Sequence, residues 1–103
     1  MVEIFAGAVK IGTAQLAVWD YGMSVAGGEF RPTDAYSACD HAAIVEGDRT
    51  AQLATPLDAR TMEGKKILCD LVALSDYSTS VGSEGREVEL FGVDLVSYFG
   101  PPA

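Results

Sequence analysis

Cys39, Asp40 and His41 are consecutive and include the only histidine in the chain. A thiolate activated by imidazole, with a carboxylate orienting the ring, is a workable nucleophile. The spacing opposes it. On a helix, neighbours in sequence point about 100° apart and only residues three or four apart meet. Cys39 and His41 therefore diverge, and Cys39 falls on an apolar stripe with Ala35 and Ala42. Asp20, Asp70 and Asp94 sit within apolar stretches. Facing a pocket, such a carboxylate gains a raised pKa and acid–base capacity; at a strand edge or wet face it has neither.

A metal centre needs converging ligands. One histidine, two cysteines far apart in sequence and no D-x-D-x-D-G loop supply none. The glycine-rich residues 22–32 lack the G-x-x-x-x-G-K-[ST] of a phosphate loop. No metal and no cofactor is expected. Aromatic residues Trp19, Phe30 and Tyr36 gather in sequence around those glycines, with Met23. They define a candidate apolar pocket closed by the glycine loop, with Asp20, Asp40, His41 and Asp70 as its polar groups. The competing assignment is core filling beneath a loop.

The 103 residues carry seven Lys and Arg against 15 Asp and Glu, a net charge of −8. Asp34, Asp40, Glu46 and Asp48 fall in residues 32–48 without a base. Beyond residue 66, Arg86 stands alone among Asp70, Asp76, Glu84, Glu87, Glu89 and Asp94. This balance excludes phosphate-backbone recognition, which needs clustered cations, and binding to an anionic membrane. No apolar run approaches the roughly 20 residues of a membrane span. The start of the chain is acidic, unlike a secretory leader. Cytoplasmic residence and reduced cysteines are expected.

Residues 65–75 form the central apolar run, with Ile67, Cys69, Leu71 and Ala73 at period two. They read as a central strand with Leu71 turned inward and Asp70 on the mixed face. Strands are also expected at residues 2–6, closing at Gly7, then 9–12, 13–21, 49–55 and 86–91. Residues 33–45, bounded by Pro32–Thr33–Asp34 and Gly47, read as the one helix. The fold expected is α+β, a mostly antiparallel sheet of about five or six strands with that helix on one face. The alternative is an all-β sandwich or small barrel.

After Gly92 the alternation slips, so apolar groups occupy both faces of the final segment. A single short helix cannot cover both. A homodimer is therefore expected, with Phe91, Val93, Leu95 and Phe99 at its interface. The functional expectation is a small acidic binding protein without catalysis, of inhibitor or immunity type, taking a basic protein partner. A small-ligand binder or enzyme with the apolar pocket around residues 19–41 is the alternative.

Overall fold

The computed structural model describes residues 1–49 and 56–101. Among these, nine strands build one curled sheet and form a small β-rich fold. β1 (Val2–Ala6) and β2 (Val9–Ala14) make a hairpin whose turn places Gly7 at φ 62°, a conformation that favours glycine. After Gln15 and Leu16 the chain resumes as β3 (Ala17–Asp20). β4 (Val25–Pro32) then runs back along both: its first half pairs with β3, and Phe30–Pro32 pair with β2.

Beyond β4 come a short helix, α1 (Ala38–His41), then the hairpin strands β5 (Ile44–Val45) and β6 (Asp48–Arg49). β7 (Leu57–Thr61) lies beside β1, and β8 (Leu71–Asp76) lies between β5 and β9 (Arg86–Phe91). α2 (Ser78–Val81) and a 3-10 turn at Ser83–Gly85 join β8 to β9, and α3 (Leu95–Phe99) ends the described chain. The strand order is β6-β5-β8-β9-β4-β2-β1-β7, with β3 beside β4. The only parallel pairing among the described strands is β5 with β8. The curl brings β7 back toward β8, where the Ile67 N–H donates to the Ala59 carbonyl at 2.8 Å. Phe30, Ile4, Ile11, Leu74, Leu90 and Val88 fill the interior, all fully buried.

Three expectations change. Nine strands and three short helices replace five or six strands with one helix. The helix of residues 33–45 contracts to four residues because its ends have other partners. Thr33 Oγ1 donates to the Lys10 carbonyl, while β-branched Ile44 and Val45 join β8 as a strand. Residues 65–75 are not one strand either. Gly64, at φ 86°, turns residues 65–67 back onto β7, and only from Leu71 does the chain pair with β9. The inward parity thus passes from Ile67 to Val72 and Leu74, leaving Leu71 55% exposed. The strand expected over residues 49–55 lies, beyond Arg49, outside the described residues.

Beyond the slip of alternation at Gly92 the final segment forms a helix. Gly92, at φ 72°, ends β9, and Asp94 caps α3 by accepting from the Ser97 amide and hydroxyl. Val93 and Leu95 are thereby folded into the core of their own chain.

The corrected register makes Leu74→Ala cost about 2–5 kcal/mol through the cavity it leaves. Leu71→Ala should stay within about 0.5 kcal/mol, as surface changes do. Urea unfolding of the two variants measures this, and similar losses would contradict the register.

Candidate functional site

Three of the sequence candidates, Phe30, Tyr36 and His41, gather near a residue outside that set. Asp76, at the end of β8, is 3% exposed and is the one buried charged residue described. Its Oδ2 accepts from the Tyr36 hydroxyl at 2.6 Å and from Arg86 Nε at 3.3 Å. Its Oδ1 accepts from the Ser78 amide at 2.8 Å, the two-residue reach of an Asx turn. Phe30 meets the Tyr36 ring edge-on at 5.2 Å between centroids, and the His41 ring lies 5.8 Å from it at a tilt of 30°. Tyr36 thus links the crossover after β4 to the β8–β9 hairpin.

Burial alone would raise the Asp76 pKa. Hydrogen bonds from Ser78 and Tyr36, with the Arg86 charge, outweigh it and hold the carboxyl below its ordinary value. Burial and the neighbouring Asp76 carboxylate push the Tyr36 hydroxyl well above its usual range. The pair therefore stays as phenol and carboxylate through neutral pH, a stable donor and acceptor. No buried side-chain nitrogen or oxygen among the described residues lacks a partner. The Asp76 group is satisfied from within the chain.

His41 meets the group through the Tyr36 ring, and the other candidates disperse. His41 Nδ1 accepts from the Ser37 amide at 2.9 Å, within its own turn, and no hydrogen bond joins it to exposed Cys39. Asp40 is exposed on the same turn. Asp20 caps the turn before β4 by accepting from the Met23 amide, and Met23 is 71% exposed. Trp19 lies across the backbone of Gly27, where a Cβ would meet its ring. Asp70 occupies the equivalent space at Gly92. Of the expected interface residues, Val93 and Leu95 are buried, Phe99 packs against the core and Phe91 is partly exposed. No three His, Cys, Asp or Glu side chains gather to hold a metal among the described residues.

An apolar cleft opens elsewhere, at the mouth of the curl where β1 begins and β2 and β7 end. This cleft measures about 500 Å³. Val2, Leu16, Ile67, Val93 and Phe99 form its walls, and Met1, Met62 and Tyr98 stand at its rim. Gln15, Thr61 and Glu63 supply the polar lining. Comparison of the chain with protein-family models, curated proteins and solved structures gives no match. The site is therefore read from its own chemistry.

Two signals for the Asp76 group were present in the sequence: the Asp-x-Ser spacing, and Arg86 as the one base among six acids. The cleft had no such signal, because its walls come from five separate segments.

Asp76 stabilises the fold above its unfolded pKa of about 3.9, and that contribution is lost as pH falls through the lower folded value. Tyr36 contributes below its unfolded pKa of about 10, and loses that contribution as pH rises toward the higher folded value. Tyr36→Phe should cost about 1–3 kcal/mol near neutral pH. It should also start acid unfolding at higher pH and shrink the alkaline loss. Denaturant unfolding across pH measures both, and unchanged acid and alkaline limbs would contradict the assignment.

Proposed function

We propose that this chain is an acidic binding protein without catalytic activity of its own. The observation that carries this reading is a separation of chemistry from space. The polar groups suited to proton transfer converge on Asp76, where donors of the same chain occupy both carboxylate oxygens. A cleft of about 500 Å³, large enough for a small ligand, lies at the mouth of the curl, lined mainly by apolar side chains. A general acid or base must reach the proton it moves. Neither His41 nor Cys39 lines that cleft, and Glu63 is its one carboxylate.

An apolar cleft of this size with a few polar groups at its edge suits recognition of a compact apolar group. The methionines at the rim support this use, since their side chains adapt to different shapes. The pocket proposed is therefore built from the strand ends at the mouth, away from residues 19–41.

Nile red, an uncharged apolar dye, tests the reading. It should occupy one saturable site whose affinity falls about tenfold or more in Leu16→Trp, where the larger ring fills the cleft. The unfolding midpoint of that variant should stay close to the parent's. No saturable uptake, or uptake indifferent to Leu16→Trp, would contradict a binding role for the cleft.

A further inference from the structure

The outer face of the sheet formed by β4, β9 and β8 has a composition unlike the rest of the surface. Register puts Val25 beside Phe91 and Phe91 beside Leu71 in one row across the three strands. The next row is Gly27, Glu89 and Ala73, with Trp19 lying over Gly27. The third is Glu29, Glu87 and Ser75. The face is thus apolar at one end and acidic at the other. Leu71 is 55% and Trp19 45% exposed.

Elsewhere on the sheet, charges are matched. Lys10 pairs with Glu3 at 2.7 Å, Lys66 with Asp58 at 3.3 Å, and Arg60 stacks on Phe5. On the face in question, Glu29 and Glu87 are direct cross-strand neighbours, an arrangement that costs stability. Arg31 reaches Glu29 only at 3.9 Å with its side chain 74% exposed, while Arg86 pairs with Asp76. Neither Glu87 nor Glu89 has an ion pair among the described residues.

We propose that this face docks a basic amphipathic helix of another protein. The proposal rests on the binding role argued above but uses a different surface from the cleft. β9 is paired on both sides, by β4 and β8, so its backbone has no free edge for an added strand. A layer of side chains over the face is what remains, and a helix on a sheet is its common form. Phe91 lies four residues from Glu87, about 13 Å along the strand. That separation matches a helix about 10–12 Å across, with its apolar stripe on the Val25–Phe91–Leu71 row and flanking Lys or Arg over the carboxylates. A second copy of the chain fits poorly. Its described helices have four or five residues, too short to lay an apolar stripe across three strands, and it offers no cluster of bases to the carboxylates.

The test is amide-resolved NMR of the full chain with three synthetic peptides of about 14 residues, roughly four helical turns. All carry Leu at i, i+3, i+4 and i+7, with Lys, Gln or Glu elsewhere. The Leu/Lys peptide should shift amides of residues 25–29, 71–75 and 87–91. Its affinity should fall about tenfold or more between roughly 0.05 and 0.5 M salt. Glu29→Lys with Glu87→Lys should reverse the preference toward the Leu/Glu peptide while leaving Nile red uptake at the mouth unchanged. Glu29→Gln with Glu87→Gln, which should weaken the Leu/Lys peptide alone, serves if the double lysine variant does not fold. Absent binding, equal binding of all three peptides, or shifts spread across acids such as Asp34, Asp40 and Glu63 would overturn the proposal. So would a dimer, by light scattering, that buries this face. Failure of the peptides with dye binding intact removes this surface alone, whereas loss of dye binding bears on the cleft.

Discussion

The fold depends on one close approach. β4 passes against the β2–β3 segment so tightly that the Gln15 carbonyl occupies the place of a Cβ at Gly28. At Gly12 a Cβ would fall on the Phe30 ring and the Arg31 carbonyl. Glycine at both positions lets β4 pair with β2 in its second half and with β3 and β9 in its first. The sheet bends there, and Phe30 fills the inside of the bend with no exposure to water beyond 1%. A side chain at either glycine would push the strands apart and flatten the curl.

Both surfaces follow from that bend. On the concave side, the ends of β1, β2 and β7 meet at a mouth that α3 partly covers, which leaves the apolar cleft. On the convex side, β4, β9 and β8 present Val25, Phe91 and Leu71 to water together with three glutamates. The Asp76 group sits apart from both. It ties the crossover after β4 to the β8–β9 hairpin with a charged acceptor whose donors come from three chain segments. Desolvating a carboxylate is costly unless its oxygens are satisfied, and here each is. That completeness makes the group a fastening and leaves no oxygen poised for a substrate.

Local pattern in the sequence revealed what depends on neighbouring residues. The β1 strand, the turn at Gly7, the alternation of β9 and the break at Gly92 follow from side chains a few positions apart. The errors have a shared cause. Residues 33–45 have good helix formers, yet Tyr36 is drawn to Asp76 and Ile44–Val45 to β8, contacts some 30 to 40 positions away in sequence. Residues 65–75 alternate convincingly, but Gly64 commits the first part to β7 while β9 takes the rest. The parity change between Ile67 and Val72 is a tertiary event with no local mark. The candidate residues fared similarly. Phe30, Tyr36 and His41 do assemble, whereas Trp19, Met23 and Asp70 serve other parts of the surface. The cleft was invisible because no short stretch contains its walls.

In this protein the apolar cleft and the Asp76 group are separate. A library of small, chemically varied fragments, screened by amide and carboxyl NMR on the full chain, probes that separation. Fragment-induced shifts should concentrate at Leu16, Ile67, Val93 and Phe99, while the Asp76 carboxyl keeps its chemical shift and its lowered pKa. Fragments that engage Asp76, Tyr36 and His41 together, with the Asp76 carboxyl moving as they bind, would contradict it.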